Sequence, residues 1–209
     1  MKRILKKIRH DRKRFITSEE LKEYCDRMYV NFKLSSDYLI SRGYLVHIFE
    51  NIYYVKTIEE LRNKKIKLSL LELVANSLKL KNIKNWYFGL YTALNLMNVN
   101  YDHQDDNFYL INDQILNNNP IEILGKKFRF IRFKNALFKF GIITNKINYS
   151  DHEKTILDLL YLWESNHINE NRILIELSKL LNGISKEKIL KYVEFYPDSN
   201  QKLLKKAIS

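Results

Sequence analysis

Glu153, Lys154 and Asp158 are the residues of this 209-residue chain whose types and spacing most resemble a catalytic acid–lysine set. The same positions have a plainer reading. Asp151, Glu153 and Lys154 fall where a helix N-terminus attracts acids, and Asp158 follows Lys154 at the i,i+4 spacing of an ordinary helix-surface pair. A structural role is the expectation. A second set concerns metal-dependent cleavage of nucleic acid, which needs two or more carboxylates beside a lysine. Asp102, Asp105, Asp106, Asp113 and Glu122 lie upstream of a lysine-rich stretch, residues 123–150, that holds no acid at all. His103 beside Asp102 and Asp105 offers metal ligands, although a polar turn explains that cluster more simply. No Gly-rich phosphate loop, HExxH or nucleophile elbow occurs. No catalysis, no bound metal and no cofactor are expected.

The stronger chemical signal is positive charge and its placement. The chain carries a formal net charge of +12. Residues 1–14 hold eight bases against Asp11 alone, a net of +7, and residues 123–150 hold seven bases and no acid, again +7. Residues 15–122 sum to −2, and the remainder balances with nine of each sign. Blocks of one sign attract polyanions. Within the second block, Lys127, Arg129, Arg132 and Lys134 alternate with Phe128, Phe130, Ile131 and Phe133. On a strand that pattern suits a stacking platform for single-stranded nucleic acid or an acidic partner. It equally suits a buried aromatic face with a charged edge that discourages strand pairing.

Several classes drop out. Cys25 is the only cysteine, so there is no disulfide framework or thiolate metal cluster. No apolar run approaches the ~20 residues of a membrane span, and the basic N-terminus is not followed by a signal-peptide core. A cytoplasmic protein without membrane contact is expected. Hydrophobic residues at 45% allow a real core.

The elements that would position the first basic block read clearly. Ile4, Leu5 and Ile8 recur at helical spacing among bases over residues 2–12. Thr17 and Glu20 form a capping box, followed by the stripe Leu21, Tyr24, Cys25 and Met28. The stretch Asn31 to Ser36 interrupts that stripe and ends in Ser35 and Ser36 as N-caps. A third helix follows with Tyr38, Leu39 and Ile40, stopped at Gly43. Tyr44–Phe49 and Ile52–Val55 then flank the turn Glu50-Asn51 as a hairpin. Three helices and a hairpin outline a winged helix-turn-helix, whose third helix enters the major groove. The residues expected to meet DNA are Lys6, Lys7, Arg12, Lys13 and Arg14 in the basic segment, Lys33, Ser35, Ser36, Tyr38, Ser41 and Arg42 around the third helix, and His47 and Asn51 on the hairpin. Asp37 is awkward on such a face and is expected to cap the helix or point away.

Beyond Thr57 the pattern changes, and the boundary is set there. Domains are expected at 1–60, 61–165 and 166–209, the last a helical segment packed on the second. Leu68 to Leu80 reads as a helix. Trp86 to Leu94 suits a strand end or turn leading into a closely packed helix. Asn107–Ile111 and Ile121–Phe133 read as strands, the latter an antiparallel pair turning at Gly125. Asp151–Trp163 and three later stretches, 168–181, 185–195 and 199–207, read as helices. The fold class expected is α+β: a winged helix-turn-helix, an α+β domain and a helical C-terminal tail.

Three segments, taken in order, carry a resemblance. They are Phe15-Ile16-Thr17-Ser18-Glu19-Glu20-Leu21, then Tyr87-Phe88-Gly89-Leu90-Tyr91-Thr92-Ala93-Leu94, then His152-Glu153-Lys154-Thr155-Ile156-Leu157-Asp158-Leu159-Leu160. Over residues 15–165 the chain resembles the AbiEi family, antitoxins of type IV toxin–antitoxin systems. The resemblance implies a transcriptional regulator that binds repeats upstream of its own operon through the winged helix. It also implies a second domain that opposes a nucleotidyltransferase-like toxin, functionally if not by stable contact. Two other readings stand beside it: a winged helix that recruits a protein without reading DNA, and a metal-dependent nucleic-acid-processing enzyme built on the carboxylates above.

Overall fold

Ile4, Leu5 and Ile8 share one side of helix α1 (Lys2–His10) and are fully or almost fully buried, which fixes the helix to its unit by its apolar side. The computed structural model describes residues 2–101 and 106–208. A short strand β1 (Phe15–Thr17) follows. Thr17 then caps α2 (Ser18–Arg27): its hydroxyl accepts the Glu20 amide at 3.2 Å, and Glu20 accepts the Thr17 amide at 3.0 Å. Next come α3 (Phe32–Ser41), β2 (Leu45–Phe49), β3 (Ile52–Val55), α4 (Ile58–Arg62) and α5 (Leu70–Leu80). The three strands form an antiparallel sheet in the order β1-β3-β2, with Phe15 opposite Tyr54 and Leu45 opposite Val55. Ile4, Ile8, Ile16, Leu21, Cys25, Leu39 and Val55 meet in its core.

Helix α3 begins earlier than the sequence suggests. Asn31, not Ser35 or Ser36, is its N-cap, and Asn31 Oδ1 accepts the Leu34 amide at 3.0 Å. Both serines sit inside the helix. Strand β1 was not anticipated either. Three residues give no alternation to detect, and β1 is a strand only because β3 is there to pair with it.

The chain divides by contacts into two units: Met1–Lys84 with Glu122–Lys126, and Asn85–Ile121 with Lys127–Ser209. The first runs past the boundary expected near residue 60, because α5 packs on β2 and β1. Glu60 ties the start of that extension to the sheet, through bonds described below.

The second unit opens with β4 (Trp86–Phe88) and α6 (Leu90–Leu96). Gly89 joins them, and a Cβ there would stand 2.7 Å from Ile111 Cγ1. Strand β5 (Phe108–Asn112) comes next; β6 (Ile121–Ile123), which from Glu122 on belongs to the first unit, precedes β7 (Lys126–Arg132) in the chain. The connection has positive φ at both Leu124 and Gly125, the requirement of a two-residue hairpin turn. A short 3₁₀ turn, Asn135–Phe138, precedes β8 (Ile142–Thr144) and β9 (Asn148–Ser150). The unit's strands run in the order β7-β5-β4-β9-β8, with β5/β7 and β4/β9 parallel and the other pairs antiparallel. Four helices finish the chain: α7 (His152–Ser165), α8 (Glu170–Leu180), α9 (Lys186–Val193) and α10 (Asp198–Ile208). Helix α7 touches α6, α8, α9 and α10. Its Ile156, Leu157, Leu159 and Leu160 share one core with Tyr87, Ile111, Leu177 and Leu204. The fold is mixed α+β, and the last three helices belong to this core. Among the described residues no helix is long and apolar enough to cross a membrane.

Candidate nucleic-acid interface

Because its apolar side is buried, α1 turns Lys2, Arg3, Lys6 and Lys7 outward. Lys2, Arg3, Lys6 and Arg12 are exposed and have no acidic partner among the described residues. The other bases of the block are engaged. Lys7 Nζ lies 2.8 Å from Asp11, whose carboxyl is held below the ordinary range by hydrogen bonds from Lys7 and Tyr24. Arg9 donates to the Lys56 carbonyl at 2.7 Å, Lys13 pairs with Glu20, and Arg14 donates to the Tyr54 hydroxyl and reaches Glu60 at 3.3 Å. Lys7, Lys13 and Arg14, expected on DNA, are thus committed to acids of their own unit. Sequence counting cannot see this for Lys13 and Arg14, because Glu20 and Glu60 lie outside the block.

The expected reading helix needs a larger correction. Ser35 is 0% and Ser36 6% exposed, so neither reaches a base. Ser36 Oγ donates to the Lys33 carbonyl at 2.9 Å, and Ser35 turns inward beside Cys25. What α3 presents outward is Lys33, Leu34, Asp37, Ile40 and Ser41, with Arg42 after its end. Arg42 lies 5.9 Å over the half-buried Tyr38 ring. Asp37 points out but caps nothing, because Asn31 does that. On the hairpin, His47 is bonded to the Glu50 carbonyl, Glu50 pairs with Lys81, and Asn51 donates to Glu19 at 3.5 Å. The tip is held by its own unit, which weakens the case for His47 and Asn51 as DNA contacts.

Glu60 is the hub that sequence reasoning missed. Fully buried at the side chain, it accepts from the Tyr54 hydroxyl at 2.7 Å, the Thr57 amide at 2.8 Å and the Lys67 amide at 2.9 Å. Burial pushes its carboxyl up, but these amide and hydroxyl donors outweigh it and bring it down to about 2. A depressed carboxylate stabilises the fold above its ordinary value and loses that contribution as pH falls. Wild-type protection of the β3 amides from hydrogen exchange is therefore expected to decline between pH 4.5 and about 2. Glu60→Gln should show weak protection already at pH 7 and a flatter decline. Equal protection in both proteins at pH 7 would refute this.

In the second unit the basic block does not form one patch. Phe128, Phe130 and Phe133 are buried, so these three rings form no solvent-facing platform, while Lys127, Arg129, Arg132 and Lys134 remain exposed. Lys146, in the β8–β9 turn, lies at the far edge of the β7-β5-β4-β9-β8 order. That is roughly 19 Å from β7 at normal strand spacing.

The acid–lysine set closes on itself. Lys154 and Asp158 are both 0% exposed and 3.0 Å apart. Asp158 also accepts from Tyr87 at 2.8 Å and Tyr196 at 2.6 Å, and Lys154 Nζ sits 4.8 Å from the centres of the Tyr87 and Phe140 rings. Burial pulls the amine's pKa down and the carboxyl's up, each opposed by the other's charge. Gly141 presses on the lysine stem: a Cβ there would lie 2.7 Å from Lys154 Cβ, at a φ of +63°. The pair is a sealed core network and not the helix-surface pair its spacing suggests. Glu153, by contrast, holds Lys188 at 2.8 Å and the Ser185 amide at 2.9 Å.

Of the carboxylates weighed for metal binding, Asp102 and Asp105, with His103, lie outside the described residues. Asp113 accepts from Asn85 at 2.8 Å, and Asp106 and Glu122 are exposed. Among the described residues no three His, Cys, Asp or Glu side chains gather in a way that could hold a metal ion.

No family model matches the chain, and no curated protein matches it. Among solved structures, the RV2827C protein from Mycobacterium tuberculosis superposes with a TM-score of 0.55 at 9% identity, covering 99% of this chain and 75% of that one. The chain therefore shares its mixed α+β fold with that protein, and the likeness extends to the fold alone.

Proposed function

We propose that the protein is a DNA-binding transcriptional regulator whose first unit is a winged helix-turn-helix, acting as antitoxin and autorepressor of a type IV toxin–antitoxin operon. The observation that carries the DNA reading is the helix pair α2–α3, backed by the β2–β3 hairpin, beside an α1 pinned with its unpaired bases outward. A helix-turn-helix presents its second helix to the major groove, and unpaired surface bases attract phosphates whatever the sequence. The antitoxin role, and a nucleotidyltransferase-like toxin as its counterpart, rest on the AbiEi resemblance of the three sequence segments.

A second reading has an observation of its own. Residues 15–56 hold five bases and six acids, and Tyr29, Leu34 and Ile40 are 97%, 62% and 38% exposed. A mildly acidic, partly apolar α2–α3 surface also suits a protein partner. Fluorescence anisotropy on the DNA upstream of the gene, against a scrambled duplex over about 50 to 200 mM salt, separates the two. The regulator reading expects a preference of ~10³-fold or more. Steep salt dependence without preference, or no binding, would favour the protein-partner reading.

A further inference from the structure

We propose that Leu34 is a specificity-determining residue, packing against the C5-methyl groups of thymines in the operator's major groove. The inference rests on the DNA-binding reading and names the base chemistry that α3 recognises.

Leu34 is the third residue of α3, and the N-terminal residues of a reading helix are those that meet base edges. It is 62% exposed, although Phe32, Ser35, Ser36 and Leu39 on the same helix turn partly or wholly inward. Nothing in the unit's core requires a leucine there. Its position is nonetheless fixed, because the Leu34 amide is bonded to the Asn31 cap at 3.0 Å and the helix beneath is anchored by fully buried Ser35 and Leu39. Lys33 precedes it and Arg42 closes the helix, bases placed to neutralise phosphates on either side of an inserted helix. Of the base edges in the major groove, thymine alone offers an apolar group. Asp37, one turn on and exposed, supplies an acceptor for the amino group that only cytosine and adenine present there. Ser35 and Ser36, which looked suited to this work, are buried, which leaves Lys33, Leu34 and Asp37 as the exposed side chains in the first two turns of α3.

The test substitutes uracil for thymine in the upstream duplex, one strand at a time, which removes the methyl groups and leaves pairing and charge intact. Full-length wild type is expected to lose about fourfold in affinity per methyl contacted, the factor set by one buried methyl group. Leu34→Ala, with a circular dichroism melt to confirm folding, should bind the thymine duplex more weakly and show no further loss with uracil. Leu34→Met should keep the uracil sensitivity. If wild type prefers its operator but ignores uracil, or Leu34→Ala binds like wild type, the thymine contact is wrong and the regulator reading stands. If neither duplex is preferred over scrambled DNA, the regulator reading itself fails and the contact fails with it.

Discussion

Asp158→Ala is expected to destabilise the second unit by about 3–5 kcal/mol, the range for removing one partner of a buried charge pair. Without the carboxylate, Lys154 keeps only the Tyr196 hydroxyl at 3.3 Å and the surrounding ring faces. Tyr87 meanwhile loses its acceptor. Gly141 packs on the lysine stem and the Phe140 ring covers the ammonium, so the amine has no easy route to water. Tryptophan fluorescence suits the measurement, because Trp86 and Trp163 both lie in this unit and residues 1–84 contain no tryptophan. Chemical denaturation at pH 7 should show the loss, and the thermal midpoint should fall by roughly 10–20 °C. The pair Lys154→Met with Asp158→Leu should recover most of it, since a buried ion pair and an apolar replacement of similar volume are often comparable. A loss below about 1 kcal/mol in the single variant, the size of one ordinary hydrogen bond, would show that the network is not what holds α7 in place.

Replacing Lys2, Arg3, Lys6 and Arg12 together by alanine is the second large effect. All four are exposed bases without acidic partners among the described residues. Each phosphate they contact adds about 0.9 to the slope of log affinity against log salt. With all four engaged, the slope should fall by about 3 to 4, and affinity near 0.1 M salt by about a thousandfold, equally on native and scrambled DNA. Lys7→Ala with Lys13→Ala should change the slope much less, because those lysines must first leave Asp11 and Glu20. An unchanged slope in the fourfold variant would show that α1 does not touch DNA. A uniform loss with the operator preference intact is the signature of phosphate contacts, and it complements the base-specific loss expected at Leu34.

The elements of the first unit were legible where chemistry is local. A capping box is a contract between residues three apart, so Thr17 and Glu20 announced α2. The apolar stripe of α1 and the Glu50-Asn51 turn were equally readable. So were the helices of the second unit, among which Asp151 and Ser185 serve as N-caps of α7 and α9. What depended on distant partners was not legible. Strand β1 exists because β3 accepts it, and α5 joins the first unit because β2 and β1 receive it.

The interface shows the same division. Sequence by itself determined that positive charge concentrates at the N-terminus and that Ile4, Leu5 and Ile8 force those bases outward on a helix. Only the tertiary structure decided which bases are spoken for, because Glu20 folds back onto Lys13 and Glu60 reaches Arg14 from 46 positions away. It also turned Ser35 and Ser36 inward: with α3 beginning at Phe32 both lie inside the helix, on the side that packs against its own unit. Lys154 and Asp158 show it most plainly. Their spacing describes a helix-surface pair, but spacing fixes only that two side chains share a face. Whether that face meets water or Tyr87, Phe140 and Tyr196 is set by residues up to 71 positions away.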